Sequence, residues 1–358
     1  MPDAPTTNER APPQGDQATL QDKVDFLSRS DSYPSGVGAV SVRETHMSWV
    51  FMAGDRVYKL KKPVRFPYLD FSTLDRRAAA SRAELLLNSR LAPDVYLGVT
   101  PLTLSPRGLT INGEGPVVEW LVVMRRLEEN GALDAAMLGG RLRPAQADRI
   151  ASTLAAFYRH ARRVQVRPEV HLAGWSRALA SHGRVLGDPR LGLPRGIVRR
   201  IDRIQQGFLA RSAQLLVERV AERRIVDAHG DLRPEHIWLR DPITIIDCLE
   251  FDPKLRALDP LEEVAFLHLE CERLGANWVG DRIRRRLARQ LGDDPSTGLF
   301  AFYRCHRAQL RARLTIAHLL DPHPRTPDKW PHLARVYLHL AAESAWELER
   351  LLRTPVGR

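Results

Sequence analysis

Three residue classes are scarce or missing in this 358-residue chain, and each absence removes a class of protein. There are three cysteines, Cys248, Cys271 and Cys305, an odd number too small for a secreted disulfide framework, which points to a reducing cytoplasm. No stretch of about 18 uninterrupted apolar residues occurs, so no transmembrane helix and no membrane partner are expected. The first residues, 1–18, are polar and proline-rich rather than basic and then apolar, and they read as a disordered tail instead of an export signal. Neither GxxxxGK[ST] nor GxGxxG is found, which leaves a P-loop or dinucleotide-binding enzyme without its anchor. Internal repeats are not apparent.

Lysine is the third scarcity. Of 54 basic residues only six are lysine, so the net charge of +11 is carried by arginine. Such a charge invites a nucleic-acid partner. The skew reads instead as a coding preference for arginine, because the densest run, Arg282 to Arg289, carries Ile283, Leu287 and Leu291 at four-residue spacing. That is the buried stripe of an amphipathic helix with its arginines facing water, and a nucleic-acid partner is therefore not expected. An apolar share of 44% is enough for substantial cores, in one large two-lobed domain or two ordinary ones.

Against this background one segment carries chemistry. His229-Gly230-Asp231-Leu232-Arg233-Pro234-Glu235-His236 is followed by two short apolar strands, 237–239 and 243–246, around Asp241-Pro242, and then by Asp247 in Ile-Ile-Asp-Cys-Leu-Glu-Phe. Asp231 on a tight loop can accept a proton from a substrate hydroxyl, and Asp247 after a buried strand can hold Mg²⁺ against ATP phosphates. This order resembles the active centre of the aminoglycoside phosphotransferase and choline kinase-like family, a small-molecule branch of the protein-kinase-like fold. The segments VYKLKKP, FPYLDFSTL, LAPDVYLGV, HGDLRPEHI and IIDCLEF resemble an uncharacterised bacterial subgroup of it, over about residues 20 to 350.

The resemblance implies an α+β, bilobal fold: a β-rich N-lobe over 19–126, a mostly helical C-lobe over 127–358, and the chemistry between them. Strands 48–53 and 56–61 flank Gly54-Asp55, and period two puts Val57, Lys59 and Lys61 on one face. In the kinase pattern the phosphate-binding lysine follows a small apolar residue two positions earlier, which favours Lys59 after Val57, with Lys61 as the alternate. The helix expected over 74–91 sits where the kinase regulatory helix belongs, and Glu84 is its candidate partner for the strand lysine. The apolar strand 116–126 leads into an implied adenine-contacting hinge near Met124. The turn Glu44-Thr45-His46-Met47-Ser48 could cover phosphates with Thr45 and Ser48, or be an ordinary polar turn.

Within the catalytic segment the resemblance makes Asp231 the base and Asp247 the main metal ligand. His229 reads as a loop-orienting side chain with a direct role as the alternative. Arg233 stands at the position of the lysine in HRDLKPEN, where it could neutralise charge on the transferring phosphoryl group. His236 departs from the family's usual Asn. An imidazole nitrogen suits Mg²⁺ poorly, so a Mn²⁺-tolerant site, a one-metal enzyme and an inactive pseudokinase all stay open. His268, Cys271, Cys305 and His306 lack zinc-finger spacing and read as core residues.

The function implied is transfer of the ATP γ-phosphate, with Mg²⁺ or Mn²⁺, to a hydroxyl of a small-molecule acceptor. A nucleotide-binding pseudokinase or regulator and AMP transfer to a protein are the alternatives. Acceptor identity and oligomeric state are not legible.

Overall fold

The computed structural model describes residues 18–33, 37–66, 68–293, 297–320 and 327–353, so the tail expected at 1–18 lies, except for Ala18, outside the described residues. These residues divide into two compact units: one runs to Ser89 and adds Pro93–Arg126, and the other joins Arg90–Ala92 to the chain from Leu127 onward.

The first unit is built on an antiparallel sheet. Helix α1 (Leu20–Leu27) starts at a capping box in which Thr19 Oγ1 accepts from the Asp22 amide and Asp22 accepts from the Thr19 amide. Strands β1 (Ser41–Glu44), β2 (Ser48–Ala53) and β3 (Arg56–Lys61) form a meander. A two-stranded ribbon, β4 (Arg65–Phe66) and β5 (Leu69–Asp70), leads to helix α2 (Leu74–Asn88). Strands β6 (Tyr96–Ser105), β7 (Gly108–Ile111) and β8 (Val117–Arg125) complete a six-stranded sheet in the order β1-β2-β3-β8-β6-β7.

Gly54 takes φ +60° in the β2–β3 turn, as a two-residue hairpin requires. Phe51, Leu60, Leu102 and Leu121 share one core with Val24, Leu27 and Tyr33. On β8 the buried Glu119 is held by Arg77, Nη2 to Oε2 2.7 Å, and by Lys23 at 3.3 Å, so both helices are tied electrostatically to the sheet. Helix α2 stops at Asn88 rather than at the expected 91, because Arg90 and Leu91 bond into the second unit: Arg90 donates to Asp227 O and Ala228 O, and Leu91 O accepts from Ile245 N.

The second unit is mostly helical. Helices α3 (Leu133–Leu138), α4 (Pro144–His160), α5 (Pro168–Leu186) and α6 (Arg195–Ala221) precede four two-residue strands. These are β9 (Val226–Asp227), β10 (Ile237–Trp238), β11 (Thr244–Ile245) and β12 (Ala257–Leu258), paired β9 with β12 and β10 with β11. Helices α7 (Pro260–Arg273), α8 (Asn277–Leu291), α9 (Thr297–Ala317) and α10 (Lys329–Arg353) follow. Helices α1 and α5 and strands β6 and β7 were not foreseen.

Three expectations need correcting. Ile197 is 40% exposed, and Val198 takes its place in the buried stripe with Ile201, Ile204 and Phe208. The helix expected over 298–320 ends at Ala317 and closes in a 3₁₀ turn. The arginines of α8 do not all face water: Arg282 makes a double bond pair with Asp148 of α4, and Arg284 lies 4.2 Å from the ring centre of Phe300.

Arg219 of α6 anchors three later elements. It forks onto Asp259, the N-cap of α7, at 2.5 and 2.9 Å, and onto Asp293 after α8 at 2.6 Å through both nitrogens; Tyr303 of α9 also donates to Asp259, at 3.0 Å. Replacing Arg219 with Met strands two buried carboxylates and should cost about 3–5 kcal/mol in a denaturant titration. A loss within error of zero would show that water reaches these carboxylates.

Candidate functional site

The loop that carries His229, Asp231 and His236 leaves β9 and turns sharply at Gly230, whose φ is +90°. A Cβ there would meet Leu249 Cδ1 at 3.0 Å and Arg256 Cγ at 3.2 Å, so both backbone and space call for glycine. Glu263, buried in the first turn of α7, clamps the loop. It accepts from the His229 amide at 3.1 Å, the Gly230 amide at 2.5 Å and Tyr158 Oη at 2.8 Å. Burial and this carboxylate push the Tyr158 hydroxyl far above its ordinary range, so it remains a donor.

His229 serves the same loop. Its Nε2 donates to Ile246 O at 2.9 Å and its Nδ1 accepts from the Asp231 amide at 3.3 Å, which fixes a neutral ring. Burial lowers its pKa, although Glu263 pulls the other way. His229 thereby holds the backbone of Asp231 against the strand that delivers Asp247.

Asp231, His236 and Asp247 converge, with one ligand-capable atom of each within 4.8 Å of the others, and no other cluster of this kind is found among the described residues. His236 Nδ1 lies 2.9 Å from the Asp231 carbonyl, which can only accept, so Nδ1 carries the hydrogen. Its Nε2 then keeps the lone pair, 3.5 Å from Asp247 Oδ2 and 3.1 Å from Arg233 Nη2, which donates to it. A ring whose other nitrogen is pinned to a carbonyl is the usual form of a histidine ligand. The Asp247 carboxylate and the imidazole fit a divalent ion, Mn²⁺ more readily than Mg²⁺ on nitrogen hardness, with the Asp231 carboxylate close beside them. Binding through His236 requires the Arg233 bond to open.

Arg233 also meets Asp231 Oδ2 at 3.1 Å and Glu235 Oε1 at 2.7 Å, so it spans the loop's carboxylates. Asp247 has φ +65°, a left-handed conformation that Asp tolerates better than most residues and that often marks functional positions. Its side chain is 48% exposed.

In the first unit Glu84 reaches two lysines. Lys59 Nζ lies 2.8 Å from Oε1 and Lys61 Nζ lies 2.6 Å from Oε2. Burial opposes the charge on Glu84, and the two ammonium groups outweigh it, holding the carboxyl below its ordinary range. The lysines differ in access: the Lys59 side chain is 16% exposed and Lys61 1%. Lys61 also lies 5.0 Å from the Phe71 ring centre, the environment of a structural cation.

Thr45 and Ser48 spend donors on each other. The Thr45 amide and hydroxyl donate to Ser48 O, and the Ser48 amide donates to Thr45 Oγ1, so these groups close the β1–β2 turn. Met124 is buried on β8 opposite Val57 of β3 and Tyr96 of β6, and the amides after it are taken by Val95 O and Asp55 O. His268 pairs with Asp281, His306 with His182, and all three cysteines are buried thiols outside any disulfide.

Sequence reasoning missed Glu263 and the Arg256–Asp227 pair, 2.8 Å apart under the loop. The available signal was Glu262-Glu263 at the head of an otherwise apolar run, Val264 to Leu267.

The fold defined by these elements is the protein-kinase-like fold shared by choline kinases and aminoglycoside phosphotransferases. Choline kinase of Cryptosporidium parvum superposes with a TM-score of 0.53 at 10% identity, covering 93% of this chain and 98% of that one. A choline/ethanolamine kinase family protein of Mesorhizobium loti gives 0.50 at 14% identity, covering 93% and 96%. A thermostable mutant aminoglycoside phosphotransferase gives 0.52 at 11%, covering 92% and 99%. By sequence, uncharacterized proteins of Mycobacterium bovis and Mycobacterium tuberculosis are 34% identical over 313 residues, 84% of this chain. The match takes in 60% of those relatives' own length. No family model matches the sequence.

If His236 is a ligand, His236→Asn should keep the melting temperature within a few degrees and move the metal preference from Mn²⁺ toward Mg²⁺ in a titration with nucleotide present. A lowered melting temperature with an unchanged metal response would assign His236 to packing.

Proposed function

We propose that the protein is an ATP-dependent phosphotransferase that moves the γ-phosphate to a hydroxyl of a small molecule. The observation that carries this reading is the convergence of Asp231, His236 and Asp247 on a loop held by Glu263 and His229. The fold supports it by analogy only, since fold alone does not assign chemistry.

Asp231 is the group suited to orient the acceptor hydroxyl and take its proton as the oxygen attacks. The new O–P bond forms while the bond from the γ-phosphorus to the bridging oxygen breaks, and ADP leaves. Asp247, with His236 Nε2, would hold the divalent ion, whose contribution is to neutralise phosphate charge. Arg233, released from His236, can bind the transferring phosphoryl oxygens. In the first unit Lys59 is assigned to the nucleotide phosphates, because its side chain, more accessible than that of Lys61, can share its charge with a ligand, and Lys61 to fixing Glu84.

One observation favours a second reading, a nucleotide-binding regulator with little turnover. Arg233 already occupies Asp231 Oδ2 and the His236 lone pair, so an internal cation competes for both.

Removing the two carboxylates separates these readings. Asp231→Asn should keep metal-dependent ATP binding and lose transfer by about 10² to 10⁴. Asp247→Asn should weaken the metal dependence of nucleotide binding as well. Full activity of Asp231→Asn with a genuine acceptor would overturn the mechanism, and wild-type protein that binds ATP without turnover under either metal would leave the regulator. Label from the α-phosphate appearing on protein would indicate AMP transfer.

The lysines give an independent check. Lys59→Ala should weaken ATP binding without a large change in melting temperature, whereas Lys61→Ala should lower stability first. Equal and negligible effects on ATP affinity would remove the assignment.

A further inference from the structure

Helix α7 packs against the turn Pro234–His236 of the catalytic loop and carries Glu270 and Arg273 in its last turns. The buried Glu270 accepts from Arg273 Nε at 2.6 Å and from Tyr337 Oη of α10 at 2.7 Å. It lies 3.5 Å from Arg311 Nε of α9, which makes no hydrogen bond there. One carboxylate therefore serves two guanidinium groups.

Both arginines feel the catalytic loop. Burial works against the charge on Arg311, but Tyr337, Glu270 and Asp231 together hold it above the ordinary arginine range. Arg273 is likewise opposed by burial and supported by Glu270, Tyr337 and, from the loop itself, Glu235. Their side chains remain 21% and 23% exposed, with Arg311 Nε itself buried.

The aromatic faces nearby are already occupied. Arg311 and Arg273 lie 5.3 and 5.8 Å from the Tyr337 ring centre, and Arg311 and Arg307 lie 5.8 and 5.6 Å from that of Phe266. A quaternary or protonated amine seeks such faces, but here it would meet the chain's own cations.

We propose that the acceptor carries an oxyanion, a carboxylate or a phosphate monoester, which Arg311 and Arg273 bind while its hydroxyl meets Asp231. This rests on the phosphotransferase reading for the acceptor's role, but not for the anion site. Arginine's planar fork matches both kinds of oxyanion, and each guanidinium here has only a share of Glu270 to hold it.

The test has a binding arm and a turnover arm, both on the full chain. Calorimetry in EDTA with inorganic phosphate, malonate and choline should show saturable binding of an anion and none of choline. Arg311→Met and Arg273→Met should each weaken anion binding about tenfold or more, with Arg311→Lys in between and Arg190→Met, an exposed arginine outside the site, without effect. Phosphate against malonate tells which oxyanion is preferred. No saturable anion binding, or binding lost in Lys59→Met and kept in Arg311→Met, overturns the proposal. In the turnover arm, ATP consumption should follow glycerate or glycerol 3-phosphate rather than ethanolamine or glycerol. Turnover with the amine alone overturns the anion site and leaves the phosphotransferase standing. Anion binding through Arg311 without turnover on any acceptor does the reverse.

Discussion

A carboxylate buried in a helix must find donors or it unfolds what surrounds it, and α7 buries several at once. Together they reach four helices and the loop after β9. Asp259, its cap, takes Arg219 of α6; Glu262 takes Arg307 of α9 at 2.7 Å; Glu263 takes the catalytic loop and Tyr158 of α4. Glu270 takes Tyr337 of α10, and Glu272 pairs with Arg304 of α9. The helix that organises the second unit is thus the one that fixes the loop carrying Asp231. Burial pushes the Glu262 carboxyl up to about 7 despite Arg307, so this partnership is the least secure of the set near neutral pH.

The same constraint accounts for much of the arginine content. Arg77, Arg219, Arg256 and Arg307 are all buried, each against a carboxylate, and a lysine could not replace their forked geometry without losing bonds. Others lie on aromatic rings, as Arg284 does on Phe300. Net charge therefore says little about a polyanionic partner here. The arginines of interest are those left with an unequal share of a carboxylate, and these cluster at Glu270.

Local order decided what could be read in the sequence. The β2–β3 hairpin was legible because Gly54-Asp55 and strict alternation fix its ends, and α7 and α8 because caps and apolar spacing agree. Strands β6 and β7 and helices α1 and α5 were not: β6 is interrupted by Gly98 and Pro101, and α5 holds Gly174 and Gly183 and starts without a side-chain cap. At the site, Asp231, Asp247 and the Lys59–Glu84 separation could be placed because motif order carries them. Glu263 could not, because its importance comes from two backbone amides more than thirty residues earlier, and no local period encodes such a contact. The sharing of Glu84 by Lys59 and Lys61 was hidden for a related reason: alternation puts both lysines on one face but does not say how far each reaches.

Main-chain bonds, rather than the reactive side chains, set the spacing of Asp231 and Asp247. Leu249 N donates to His229 O, Ile246 N donates to His236 O, and His229 Nε2 donates to Ile246 O, so the two loops are laced at three points. The residues with positive φ in these loops, Gly230 and Asp247, lie beside those rungs and let the chain reverse there. None of these three rungs runs through a carboxylate oxygen: those of Asp231 meet Arg233 and the His236 edge, and Asp247 Oδ2 faces His236 Nε2. Changing a carboxylate to its amide therefore alters charge and ligand strength while leaving the frame in place. The converse holds for Glu263 and His229, whose loss would move both carboxylates together without touching their chemistry.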